Sequence, residues 1–337
     1  MAERDTQIAA FLDAAGWGDA DRRILAADAS FRRYDRLEMD GQRAVLMDAP
    51  PPREDVRPFL TIARHLTGLG YSAPRILADD AEAGFILLED LGDDTFTRLL
   101  ARGEDEIRLY ELATDLLIDL HGRPAAQVIP ALLAPYDDAR LLDEAALLTD
   151  WFVPQFTGAT LPDGTAREYG DLWRLTLRHI RSVPETLVLR DYHVDNLMRL
   201  DGRDGIAACG LLDFQDAVRG PVTYDLVSLI EDARRDISPE IASAMRERYL
   251  TAFPALDRES FDRSMAILGA QRHAKVIGIF TRLSVRDGKN DYLPHIPRVW
   301  RLLEAACTHP VLAPIRAWLD HHIPAAQRII PPCGISE

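Results

Sequence analysis

The run Leu187-Val188-Leu189-Arg190-Asp191-Tyr192-His193-Val194-Asp195-Asn196-Leu197-Met198 carries an acid, Asp191, and an amide, Asn196, five residues later. A turn at Asp201-Gly202 to Asp204-Gly205 follows, and then a second acid, Asp213, closes the apolar Gly210-Leu211-Leu212. An acid, an amide and a second acid in this order form a set that phosphoryl transfer from ATP needs. One carboxylate orients or deprotonates the attacking hydroxyl. A second carboxylate and an amide oxygen can hold Mg²⁺, whose hard charge prefers oxygen ligands. Other chemistries find no support. No G-x-x-x-x-G-K-[ST] or G-x-S-x-G occurs, and Gly68-Leu69-Gly70 follows a helical pattern and runs into Pro74, the wrong context for a dinucleotide loop. Cys209, Cys307 and Cys333 are far apart and form no C-x-x-C, so neither a disulfide framework nor a zinc site is expected.

The elements that must position these residues can be read from periodicity. Ile8, Phe11, Leu12 and Ala15 mark an amphipathic helix over the first ~20 residues. Alternation through Leu37 and Met39, a turn at Asp40-Gly41 and the run Arg43–Met47 predict a hairpin. A helix from about Val56 to Leu69 follows, then two short strands at Ile76–Ala78 and Phe85–Leu88. Helical patterns dominate afterwards, at roughly 95–122, 138–151, 166–181, 223–235, 239–252, 258–283 and 297–305. One strand pair, Leu187–Leu189 with Ala207–Asp213, interrupts them, and the Pro- and Gly-containing tail after about Pro324 is expected to be loosely held. A small β-rich unit followed by a larger helical one is an α+β arrangement. Trp300 and Trp318 fall in helical apolar patterns and are expected in the core.

The loop around Asp191 resembles that of the aminoglycoside phosphotransferase and choline kinase superfamily, relatives of the protein kinases, whose catalytic loop reads His-Gly-Asp-x-x-x-x-Asn. The resemblance implies a protein-kinase-like two-lobed fold, with a β-rich N-lobe over 1–91 and a helical C-lobe over 92–337. Carried over, Asp191 is the catalytic base, and Asn196 and Asp213 are the Mg²⁺ ligands. Arg190 and Asp225, the latter in Tyr224-Asp225-Leu226, are structural supports, and Glu89-Asp90-Leu91 is the hinge beside ATP. Two departures stand out: Leu189 replaces the loop's first His, and Met47 occupies the place of the strand lysine that pairs with the phosphates. No lysine precedes Lys275. The nucleotide-covering turn Ser30-Phe31-Arg32-Arg33-Tyr34 offers Arg32 and Arg33 as replacement cations, with Arg43 a weaker choice. Asp-Ala-Ser-Phe-Arg-Arg-Tyr, Met-Asp-Ala-Pro-Pro, Leu-Leu-Glu-Asp-Leu-Gly-Asp and Leu-Leu-Asp-Phe-Gln-Asp-Ala together resemble the N-acetylmuramate/N-acetylglucosamine anomeric kinases of bacterial cell-wall recycling. That subgroup implies phosphorylation of an amino sugar to its 1-phosphate. A kinase acting on an aminoglycoside or choline-like alcohol is the alternative within the class. A nucleotide-binding pseudokinase, supported by Met47 alone, is the alternative outside it.

Composition sets the limits. The 337 residues hold 39 Lys+Arg and 54 Asp+Glu, a net charge of −15. That balance argues against nucleic acid as the main partner, since phosphate backbones are held by clustered basic residues. No run is apolar and long enough to span a bilayer, and the acidic start does not fit a signal peptide, so a cytoplasmic enzyme is expected. Charge is uneven, however. Residues 79–119 hold thirteen acids and three arginines, whereas 270–301 hold seven basic side chains and two acids. The basic segment is a candidate anion site. The resemblance adds that N-acetylmuramate carries a carboxylate, so Arg272, His273, Lys275, Arg282 and Arg286 become candidate acceptor contacts, with His193 from the loop. Arg272, Lys275, Ile279 and Arg282 would share one helical face.

Overall fold

The computed structural model describes residues 2–27 and 31–334. Ser30 lies outside the described residues. Among these residues nine strands form three sheets: β1 (Asp21–Ala27), β2 (Arg33–Met39), β3 (Gln42–Asp48), β4 (Ile76–Asp80), β5 (Phe85–Glu89), β6 (Glu185–Val188), β7 (Leu197–Arg199), β8 (Cys209–Leu211) and β9 (Val218–Pro221). The chain divides into two compact units, one of residues 1–116 with 194–217 and the other of 117–193 with 218–337. The division therefore falls elsewhere than a single cut after residue 91, because Thr95–Leu116 and the β7–β8 hairpin cluster with the N-terminal sheet.

In the first unit the sheet is antiparallel, in the order β1-β2-β3-β5-β4. Met39 pairs with Gln42, so Asp40 and Gly41 form a two-residue turn with φ of 50° and 75°. Two successive positive φ values are what an Asp-Gly hairpin turn accommodates. Alternate strand residues face opposite ways. Leu37, Ala44, Leu46, Phe85 and Leu87 meet Ile8 and Leu12 of helix Ala2–Ala14, forming one core. Helix Arg57–Gly68 buries Phe59, Leu60, Ile62, Ala63 and Leu66, and Phe59 stacks on Phe214 with centroids 5.0 Å apart. The helical pattern read over 95–122 is two helices, Phe96–Ala101 and Glu106–Gly122, parted at Gly103. Thr95 caps the first of them, its hydroxyl accepting from the Arg98 amide.

In the second unit the 30-residue helix Arg258–Asp287 forms the spine of the core. Asp257 caps it, accepting from the Ser260 amide at 2.8 Å, and Gly288 ends it. Most of its length is buried on more than one side, so its apolar periodicity is blurred and polar Gln271, Arg272, His273 and Lys275 are buried with it. A Cβ at Gly278 would lie 2.2 Å from the Leu147 carbonyl carbon, so the spine touches helix Asp138–Leu147 at backbone distance. That helix runs on through a π turn, Leu148–Phe152. Trp173, Phe152, Trp300 and Trp318 fill the core.

Three readings from the sequence are corrected. The strand pair expected between 187–189 and 207–213 does not exist: β6 pairs with β9, and β8 pairs with β7. The short apolar runs do not encode which of several nearby partners they take. Helix Thr223–Ile230 stops five residues early, before Asp232 and Arg234. The part of the tail around Arg328 is anchored rather than loose, because Arg328 is ion-paired to Glu304 at 2.6 Å and Asp320 at 2.7 Å, while 335–337 lie outside the described residues.

Candidate active site

Each unit gathers a share of the predicted residues. In the first, Asn196 leads into β7 and Asp213 follows β8. The hairpin is held to the unit by Ser72, whose carbonyl accepts from the Leu211 amide at 3.0 Å and whose hydroxyl donates to the Ala207 carbonyl at 2.6 Å. The Leu212 amide donates to the Asn196 carbonyl at 2.9 Å. Asn196 Nδ2 lies 3.4 Å from Asp213 Oδ2, and Gln215 Nε2 donates to Asp213 Oδ1 at 2.7 Å. Asp213 has φ of 57°, a left-handed conformation that a non-glycine residue adopts at a cost. The amide nitrogen faces a carboxylate, so its own oxygen and the Asp213 carboxylate are the oxygen donors this pair can offer. Among the described residues no cluster of three or more His, Cys, Asp or Glu could hold a metal by itself. Two protein oxygens suit Mg²⁺, which keeps waters and substrate phosphates as its other ligands.

Asn196 and Asp213 line a cavity of about 280 Å³ in this unit, walled by Val45, Leu88 and Met198 and reaching Glu89, Asp90 and Leu91. Apolar walls with a polar rim suit a flat heterocycle joined to a charged tail. Glu89 is ion-paired to Arg203 at 2.6 Å and Arg75 at 3.1 Å, and Asp90 to Arg36 at 2.7 Å. Both carboxylates are therefore occupied by guanidinium groups within the unit. Met47 is buried two residues from Val45, and so on the same face of β3. Arg32 is ion-paired to Glu54 at 3.1 Å, just ahead of helix Arg57–Gly68, and Arg33 to the buried Asp35 at 2.9 Å. Phe31 is exposed, its amide donating to Glu54 at 3.1 Å. Arg43 is exposed on β3.

The second unit holds Arg190, Asp191 and His193 just after β6. Asp225, buried in helix Thr223–Ile230, accepts from the Leu189 amide at 2.6 Å and the Arg190 amide at 2.9 Å. Burial pushes the Asp225 carboxyl up to about 7, against the pull of those two amides. Arg190 takes φ of 72°, turning the chain sharply before Asp191. Its guanidinium bonds Glu144, which also accepts from the Tyr136 hydroxyl and pairs with Lys275 at 3.4 Å. Burial raises the Asp191 carboxyl, but Lys275, His193, Arg272 and Arg190 outweigh it and leave its pKa below the ordinary carboxylate value.

Of the basic segment, Lys275 and Arg272 are among the charges that hold the Asp191 pKa down. Arg272 Nη2 donates to Ser228 at 2.8 Å. His273 bonds Glu231 at 2.6 Å in the core. Arg282 lies ten residues further along the helix, about 15 Å at 1.5 Å per residue, where burial and Arg286 lower its pKa. Arg286 pairs with Asp287 at 2.8 Å, and Arg298 and Arg301 pair with Asp236. Three residues escaped the sequence reading. Glu144 has no motif around it. Asp232 and Arg234 fall inside the helical pattern over 223–235 but lie past the end of helix Thr223–Ile230, where Arg234 Nη1 is 3.3 Å from His193 Nε2.

Comparisons with known proteins bear on the family and the fold. A 37% identical protein of Caulobacter vibrioides, described as an N-acetylmuramate/N-acetylglucosamine kinase, aligns over 97% of this chain and 98% of its own. A protein of the same description from Pseudomonas aeruginosa is 41% identical over 87% of this chain and 86% of its own. Among solved structures, a choline/ethanolamine kinase family protein from Mesorhizobium loti matches with a TM-score of 0.62 at 16% identity, covering 94% of this chain and 99% of that one. A choline kinase from Streptococcus pneumoniae gives 0.61 at 10% identity, covering 91% and 100%. Those structures share the α+β fold. The model of the phosphotransferase enzyme family matches residues 21–261, and this chain belongs to that family.

Proposed function

We propose that the protein is an ATP-dependent kinase that phosphorylates the anomeric hydroxyl of N-acetylmuramate and N-acetylglucosamine. The observation that carries this reading is the coincidence of Asp191, Asn196 and Asp213 in kinase order with relatives of that description over nearly the whole chain. The first unit supplies the nucleotide side. The cavity beside Glu89–Leu91 would take the adenine, and Asn196 and Asp213 would hold Mg²⁺. Bound there, Mg²⁺ would neutralise charge on the phosphate oxygens. Arg32, aimed by Glu54, takes the phosphate-binding part left open by Met47, with Arg33 beside it in sequence.

The second unit supplies the acceptor side. A carboxylate held below its ordinary range is a weak proton sink but a strong hydrogen-bond acceptor. Phosphoryl transfer passes through a loose transition state, so orienting the hydroxyl matters more than removing its proton early. Asp191, kept ionised by Lys275 and the other groups that lower its pKa, is suited to orienting the hydroxyl and taking its proton late. Arg272 and Lys275 lend positive potential to the same place. Choline-like and aminoglycoside acceptors are cationic, and a site with these neighbours would repel them. Transfer of labelled γ-phosphate to N-acetylmuramate, N-acetylglucosamine, choline and an aminoglycoside tests the assignment. Transfer to the amino sugars alone is expected; transfer only to a cationic acceptor, or to none, overturns it.

A further inference from the structure

We infer that Gln215 is a positioning residue that makes the Asp213 carboxylate meet the divalent cation through one oxygen, and so favours Mg²⁺ over the larger Ca²⁺. The inference rests on the Mg²⁺-dependent kinase reading and deepens it.

The backbone around Asp213 is fixed from both sides. Before it, the Leu212 amide donates to the Asn196 carbonyl at 2.9 Å. After it, Phe214 is buried and stacks on Phe59 with centroids 5.0 Å apart. The Phe214 carbonyl accepts from the Ala217 amide at 3.0 Å. With φ of 57° at Asp213, these contacts set where its side chain leaves the chain. The last torsion of an aspartate is still soft, because rotation about an sp³–sp² bond meets only a broad two-fold preference.

Gln215 removes that freedom. Its Nε2 donates to Asp213 Oδ1 at 2.7 Å. An ionised carboxylate only accepts, so the nitrogen of the amide, not its oxygen, must face it. On the other oxygen, Asn196 Nδ2 stands at 3.4 Å, the outer edge of hydrogen-bond distance. The two amides treat the carboxylate unequally: Oδ1 is held, and Oδ2 faces the second ligand. Asp213 and Asn196 both line the cavity of about 280 Å³, whereas Gln215 does not, so Gln215 acts through Asp213.

The charge type fits this role. Glu89 and Asp90, at the same cavity, are bound by guanidinium groups. The neutral amide of Gln215 fixes Asp213 without setting a positive charge against the cation. Two-oxygen binding suits Ca²⁺, which takes six to eight ligands at about 2.3–2.6 Å. Mg²⁺ demands octahedral geometry at about 2.0–2.1 Å and keeps several waters. A carboxylate oxygen committed to an amide N–H is a poorer second ligand, which weighs against the larger ion.

The test measures, by calorimetry, the dissociation constant of a non-hydrolysable ATP analogue with Mg²⁺ and with Ca²⁺. Wild type is compared with Gln215→Leu and Gln215→Met, which fill similar space and lack the donor. Wild type should bind more tightly with Mg²⁺, and that preference should fall about fivefold or more in both variants as the freed carboxylate turns both oxygens to Ca²⁺. A dissociation constant does not scale with the fraction of folded protein, so partial misfolding cannot imitate this. A smaller fall, whether or not nucleotide binding weakens, overturns the assignment, as does a wild type with no preference for Mg²⁺. Asp213→Asn, measured in parallel, should lose the tightening by Mg²⁺. If it does not, Asp213 is no ligand, and the metal reading falls together with this assignment.

Discussion

At the scale of single residues, the acceptor side depends on charges that hold one another in place. Asp191→Asn should lower kcat by about 10²–10⁴-fold, the usual range for a positioned base. ATP affinity by calorimetry should stay within a few-fold, because the cavity and the Asn196–Asp213 pair belong to the first unit. Unchanged turnover would remove Asp191 from the reaction. Glu144 acts at one remove, as the carboxylate shared by Arg190, Lys275 and the Tyr136 hydroxyl. Removing one partner of a buried ion network leaves uncompensated charge, at a cost of about 3–5 kcal/mol. Glu144→Ala should therefore lower the melting temperature markedly, while the milder Glu144→Gln should lower kcat without moving KM for ATP. A kcat equal to wild type in Glu144→Gln would contradict this positioning role.

At the scale of elements, the decisive contacts are backbone approaches that place each loop. Gly278 brings the spine helix against Leu147. Gly278→Ala has no room for its methyl and should destabilise by about 1–3 kcal/mol, read as a lower denaturant midpoint; an unchanged midpoint would mean the helices separate freely. The elements also show what a sequence conveys. The hairpin at Asp40-Gly41 was legible because only a few residue pairs make that turn, and helix Arg57–Gly68 was legible from the spacing of Phe59, Leu60, Ala63 and Leu66. Asp191, Asn196 and Asp213 stood out because phosphoryl transfer asks for an acid, an amide and a second acid in that order, and Asn196 does lie beside Asp213. The pairing of β6 with β9 was not, since runs of three or four apolar residues specify burial and not partner. Nor were Glu144 and Arg234, which reach the catalytic loop only through folding across 46 and 41 residues.

At the scale of the whole molecule, the acidic balance has a titration consequence. Burial lowers the His121 pKa to about 3, and burial with Arg234 lowers that of His193. In the unfolded chain both take protons near the ordinary value of 6.5. Below that pH the unfolded state binds protons the folded state does not, so stability rises with pH through this window and is lost on acidification. Carboxylates held low, such as Asp191 and Asp236, add the same trend only below about pH 4. Asp225, pushed up to about 7, acts the other way and loses stability as pH rises towards 7. The histidine part is therefore read as a difference. From pH 7.5 to pH 5 the melting temperature of wild type should fall further than that of His121→Gln, and equal pH profiles would mean that His121 is not held neutral. The central claim concerns chemistry at one carbon. Phosphorus-coupled NMR of the product formed from ATP and N-acetylglucosamine tests it most directly. The account predicts phosphate on the anomeric oxygen, seen as a phosphorus-split anomeric proton and loss of the reducing end. Phosphate on any other hydroxyl, with the reducing end intact, would contradict it.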